Sequence, residues 1–170
     1  YNFKANRKLF IQILLSIWII YWTNNYSSIP YVKLFGYFII PFIILFLVWM
    51  INAYNFMDGI DGMAISGAIY LSISLTLIML LANKNSELTI IFFLLMASVT
   101  AFLFFNWPPA SIFMGDSGSI FLGYIFGSFI LITVTRGEIS LWTWLVIFAY
   151  FFADTTITLL TRLILVKKWY

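Results

Sequence analysis

Residues 52–62 read NAYNFMDGIDG, a polar stretch set between two long apolar runs. It places two carboxylates, Asp58 and Asp61, two carboxamides, Asn52 and Asn55, and two glycines, each directly after an aspartate, in a chain with six acidic residues in all. Asn52, Asn55, Asp58 and Asp61 recur every three residues. On an α-helix each such step turns a side chain back by about 60°, so one helix face cannot hold all four. Glycine tolerates left-handed geometry, and the preceding helix is therefore expected to unwind at Gly59 and Gly62 and fold the carboxylates back beside the asparagines. The same residue types also make an ordinary turn, with Asp61 capping the next helix.

Working outward, 64% of the 170 residues are hydrophobic, 21% aromatic and only 9% charged, far from the composition of a soluble domain. This is the composition of an integral membrane protein. A turn needs one or two polar residues, whereas this stretch has six at a membrane boundary, where ionisable groups are costly and usually functional. The net charge of +3 sits largely near the chain ends and sets membrane orientation; it does not point to a nucleic-acid partner. The chain has no cysteine, which excludes disulfides, thiolate chemistry and sulfur-ligated metals. It also has no histidine, so catalysis would rest on carboxylates, carboxamides and an oxygen-loving metal. The first apolar run lacks a small-residue cleavage site and further spans follow it, so it does not read as a signal peptide.

Hydropathy predicts an all-α, polytopic transmembrane helix bundle, a single membrane domain 1–170, with six spans at 9–22, 35–51, 63–81, 88–105, 120–134 and 141–166. Pro41 is expected to kink the second. The turn NNYSSIPYVK carries Pro30, and Pro108 and Pro109 end the fourth span. Six spans place both termini and both motif loops, 52–62 and 106–119, on one side. Lys4, Arg7, Lys8, Arg162, Lys167 and Lys168 outnumber Lys33, Lys84 and Arg136 in the opposite loops, which makes the motif face cytoplasmic.

Residues 106–119 read NWPPASIFMGDSGS. A Gly- and Ser-rich loop opening a helix, here Gly115 to Ser119, offers backbone N–H groups and a positive dipole end to phosphate oxygens. Asp116 in that loop would repel phosphate unless a cation sat between them. It therefore reads as a ligand of Mg²⁺, or Mn²⁺, with a carboxamide such as Asn55 as second ligand; an ordinary N-cap by Asp116 or Ser117 is the competing reading. The two loops are expected to form one metal and nucleotide-diphosphate site. GDSGS matches the nucleophile segment of trypsin-like proteases, but their triad needs a histidine. Intramembrane aspartyl proteases carry Gly-x-Gly-Asp, of which only Gly115 and Asp116 match. That activity and a carboxylate-lined transporter are the alternatives.

Asp154 and Arg162 lie in the last span, eight residues or about 12 Å apart, too far for contact. Each should face an interior or an interface, or Arg162 snorkels to the headgroups; beside Thr155, Thr156 and Thr158, Asp154 could be neutral and hydrogen-bonded. Trp18, Trp22, Trp142 and Trp144 read as lipid-facing or interfacial.

Together the two loops resemble the polyprenyl-phosphate N-acetylhexosamine-1-phosphate transferases of glycosyltransferase family 4, the MraY/WecA-like enzymes. NAYNFMDGIDGMA is similar to their Asp-Gly-x-Asp-Gly motif, and NWPPASIFMGDSGSIFLG to their second motif, closer to the WecA and O-antigen-initiating branch. The resemblance implies a bacterial inner-membrane enzyme of the EC 2.7.8 type that transfers a N-acetylhexosamine 1-phosphate from a UDP-sugar to undecaprenyl phosphate and releases UMP. The product would initiate cell-envelope polysaccharide or lipopolysaccharide O-antigen. It implies Asp58, Asp61 and Asp116 as catalytic residues, Asn52, Asn55, Asn106, Gly115, Ser117 and Gly118 as substrate-binding, and Asn55 and Asp116 as Mg²⁺ ligands. Whether an aspartate attacks first or only deprotonates the lipid phosphate stays open, and a homodimer is compatible. The family's Asp-Asp motif would precede the segment around Lys8 and Gln12, and its His motif would follow the last helix, so the resemblance also implies a central fragment.

Overall fold

The computed structural model describes residues 5–23, 36–84 and 87–165. Lys4, the turn around Pro30 with Lys33, the expected helix start at 35, and Lys167 and Lys168 lie outside the described residues, as does the side chain of Arg162. Among the described residues seven α-helices form: α1 Ala5–Trp22, α2 Ile40–Met57, α3 Met63–Leu81, α4 Glu87–Asn106, α5 Gly115–Thr135, α6 Leu141–Ile147 and α7 Ala149–Leu165. Among the described residues there is no strand, and the all-α, polytopic expectation holds.

Six spans were expected; among the described residues four stretches are long and apolar enough to cross a membrane: Gly36–Met57, Met63–Leu81, Glu87–Asn106 and Gly115–Thr135. Helix α1 opens on Asn6, Arg7 and Lys8, which dilute its apolar run. Helix α7, of 17 residues, is shorter than a usual span and carries Asp154 and Arg162. The last expected span is interrupted at Phe148. Pro41 kinks nothing: it follows a single 3-10 turn, Gly36–Ile39, and sits in the first turn of α2, where a missing N–H is tolerated. Helix α2 runs six residues past its expected end and keeps Asn52 and Asn55 helical to Met57. Helix α5 starts at Gly115, so the GDSGS segment is its first turn, not a loop before it.

The chain divides into two compact units, Tyr1–Asn55 with Met114–Leu141, and Phe56–Phe113 with Trp142–Tyr170. In the first unit α2 and α5 meet along a seam of small residues. A Cβ on Gly123 would lie 2.8 Å from Ile51 Cα and 3.0 Å from Met50 O, and one on Gly127 would lie 2.9 Å from Leu47 Cδ2. Ser119, Gly123 and Gly127 stand four apart on one helix face, the spacing that lets membrane helices approach closely. Tyr54 stacks on Phe126 with ring centroids 5.6 Å apart, and Ile20, Leu47 and Leu131 form an apolar cluster that includes α1.

In the second unit α3 packs against α4. Helix α3 buries Ala64, Ile65, Ala68, Leu71, Ser72, Leu75 and Met79, a face at helical spacing, and α4 buries Leu88, Phe92 and Val99. Trp144, expected among the lipid-facing or interfacial aromatics, is buried with its ring 5.7 Å from that of Phe148. Trp18, Trp22 and Trp142 are exposed, as expected for lipid-facing or interfacial rings.

Candidate active site

The residues expected to carry chemistry fall into one constellation in each unit. In the first, the Gly123 seam sets the register of α2 against α5. One turn beyond Ile51 on α2 comes Asn55, and one turn before Gly123 on α5 comes Ser119. The Asn55 amide nitrogen accordingly donates to Ser119 Oγ at 2.9 Å and to Asp116 Oδ1 at 3.0 Å. The other carboxylate oxygen, Oδ2, pairs with the Lys8 ammonium. Asp116 lies in the first turn of α5 with no side-chain cap on that helix, so it is not the N-cap, and the helix dipole favours its charge there.

Helix α1 laces the other two. Lys8 and Gln12, four apart on one face, reach α5 and α2 respectively: Gln12 Nε2 donates to Asn52 Oδ1 at 3.2 Å, and Asn52 Nδ2 donates back to Gln12 Oε1 at 2.9 Å. Gln12 is buried, as is Ser16 one turn on. Lys8 and Gln12 were not among the expected site residues. Their signal was a polar row at 8, 12 and 16 through an apolar run.

No cluster of three or more acidic, histidine or cysteine side chains suited to a metal ion occurs among the described residues. Asp116 alone still fits a hard cation that shares its shell with water and phosphate oxygens. Its side chain is 56% exposed, and two hydrogen-bonded partners leave about half of a carboxylate's lone-pair directions free.

In the second unit the chain leaves α2 at Asp58 and turns back into α3. Gly62 takes φ +74°, while Gly59 does not have the positive φ expected of it. Asp61 does not cap α3, whose N-cap is Gly62. Its Oδ2 accepts the Ala110 N–H at 3.0 Å. Asn106, 3% exposed, accepts the Gly62 N–H at 3.0 Å on Oδ1 and donates from Nδ2 to Ile112 O at 3.0 Å. Asp154 is half-buried, and the neighbouring Thr155 hydroxyl bonds Phe151 O at 2.7 Å.

The fold and the two clusters define the class: a multi-pass helical membrane protein with carboxylates and carboxamides gathered at its helix ends. Residues 1–134 match the family described as Glycosyl transferase family 4, and the chain belongs to it. It is 34% identical over 129 residues to a probable undecaprenyl-phosphate N-acetylglucosaminyl 1-phosphate transferase of Bacillus subtilis, covering 73% of this chain and 36% of that protein. It is 35% identical over 164 residues to a phospho-N-acetylmuramoyl-pentapeptide-transferase of Desulforapulum autotrophicum, covering 82% and 45%. A protein of the same name in Petrotoga mobilis is 42% identical over 135 residues, covering 75% and 41%. The chain thus spans less than half the length of these relatives.

Proposed function

We propose that the complete protein transfers N-acetylhexosamine 1-phosphate from a UDP-linked donor to undecaprenyl phosphate at the cytoplasmic face of a bacterial inner membrane. An oxygen of the lipid phosphate attacks the sugar-linked phosphorus, the bridging P–O bond breaks, and UMP leaves with that electron pair. The observation that carries this reading is Asp116, held by Lys8 and Asn55 in the open first turn of α5.

Asp116 would hold Mg²⁺, or Mn²⁺, and Asn55, whose amide nitrogen fixes that carboxylate, would have to turn its carbonyl oxygen to the ion to serve as a second ligand. When bound, the metal neutralises charge on the diphosphate. The N–H groups of Gly115 and Ser117, in the first turn of α5 where no carbonyl precedes them, would donate to phosphate oxygens, with Gly118 beside them. Lys8 supplies a cation for the same phosphates when they displace it from Asp116. Asn52, locked by Gln12, would serve substrate binding, whereas Asn106, expected in the same role, is buried with its amide held by Gly62 and Ile112 and serves by holding its loop. Asp58 serves the nucleotide or carries the proton of the lipid phosphate.

Two donors are supported by different relatives. The Bacillus subtilis protein's name points to a UDP-N-acetylhexosamine, and the names of the others to a UDP-muramoyl-pentapeptide. The test is UMP release by the complete protein in detergent with undecaprenyl phosphate, Mg²⁺ and a panel of both donor types. Release with one donor, abolished by chelator and reduced at least about a hundredfold in Asp116→Asn, is the expected result. It decides between an O-antigen type of product and a peptidoglycan precursor. No release with any donor from folded protein overturns the proposal.

A further inference from the structure

Asp61 and Gly62 are consecutive, and both are fastened to the same loop. The Ala110 N–H donates to Asp61 Oδ2 at 3.0 Å, and the Gly62 N–H donates to Asn106 Oδ1 at 3.0 Å. Beneath these bonds Gly62 lies so close that an added Cβ would meet Pro108 Cδ at 3.4 Å and Asn106 O at 3.5 Å.

The donors of the loop explain why a side-chain acceptor is needed there. Pro108 and Pro109 have no N–H. The N–H groups of Ser111 and Ile112 both go to Phe105 O, at 2.9 and 3.0 Å, joined by the Ser111 hydroxyl at 2.9 Å. Asn106 Nδ2 closes the loop on Ile112 O. Ala110 is left facing the 58–62 turn, and a part-buried donor needs a partner. Asp61 meets that need.

We propose that Asp61 is a positioning residue: it pins the 106–112 loop onto the turn that carries Asp58, and it does so as a hydrogen-bond acceptor whose negative charge is dispensable. This differs from the catalytic role expected of it, and it rests on the transferase reading only in giving Asp58 a task. An asparagine at 61 presents a carbonyl oxygen of the same reach to Ala110. A general base or a metal ligand would lose its chemistry on that exchange.

The test compares Asp61→Asn, Asp61→Ala, Asn106→Ala and the double alanine variant in the complete protein, reading both UMP release and melting temperature in detergent. Asp61→Asn is expected to keep kcat within about tenfold of wild type with an unaltered pH–rate profile, whereas Asp61→Ala loses about a hundredfold or more. The melting-temperature losses of the two alanine variants are expected to be less than additive, as for members of one brace. Asp61→Asn falling as far as Asp61→Ala in rate, or flattening a limb of the pH profile, overturns the proposal. So do additive melting losses. If wild type releases no UMP, the transferase reading fails, and the melting cycle and the Asp61→Asn melting temperature still decide the brace.

Discussion

At the scale of single residues, Gly62 and Lys8 are predicted to behave oppositely. Gly62 takes φ +74° with Pro108 and the Asn106 carbonyl against it. Gly62→Ala would place a Cβ in the left-handed region, at a cost of about 1–2 kcal/mol, and is expected to lower the melting temperature measurably. Lys8 pairs with Asp116, but the two side chains are 35% and 56% exposed. A pair so open to water stabilises by about 1 kcal/mol at most. Lys8→Met is therefore expected to leave the melting temperature within about a degree or two of wild type while UMP release falls. A large drop in melting temperature would mean that Lys8 serves the fold and not the phosphate site.

At the scale of elements, the seam between α2 and α5 turns a packing requirement into site geometry. Gly123 meets backbone, Ile51 Cα and Met50 O, which cannot move without moving α2; Gly127 closely meets Leu47 Cδ2, the end of a flexible side chain, with Met50 Cβ at an ordinary 3.8 Å. Gly123→Ala is expected to cost about 1–3 kcal/mol and to part Asn55 from Ser119 and Asp116, lowering UMP release as well as stability. Gly127→Ala should be nearly silent in both measurements. Equal effects of the two would show that the seam does not set the register.

The same helices show what the sequence could and could not reveal. Apolar length was enough to place α3 to within a residue at each end, because Gly62 and the turn after Leu81 bound an uninterrupted run. The buried face of α3 was not legible, since its lipid-facing residues, such as Tyr70, Ile73 and Leu77, are as apolar as those it buries. The polar loops were legible as places where polar contacts gather. Their inner geometry was not: Asn55 meets Asp116 where Gly123 admits α2, and Asp61 meets Ala110 where the loop after α4 lies against the 58–62 turn. Both are contacts between segments distant in sequence.

At the scale of the whole molecule, the chain passes from the first unit to the second after Asn55, returns at Met114, and crosses again after Leu141. Neither unit is a continuous piece of sequence. Within the second unit, α3 and α4 form an antiparallel pair whose 19 and 20 residues span about 28 and 30 Å, the thickness of a bilayer's hydrocarbon core. The Asp58 turn and the 106–112 loop are tied at one end of this pair, and Asn83 and Lys84 lie at the other. A bilayer around the pair must therefore separate Asn83 from Ile60 and Trp107. These 170 residues hold no cysteine, so each position can be probed as an introduced cysteine with the parent protein as the labelling control. In intact cells a membrane-impermeant maleimide is expected to label Asn83→Cys, but to label Ile60→Cys and Trp107→Cys only after permeabilisation. The reverse pattern would put the motif loops on the outer face, where UDP-sugars are not supplied, and would remove the cytoplasmic placement of the proposed reaction. Labelling of all three from one side would mean that α3 and α4 do not cross the membrane at all.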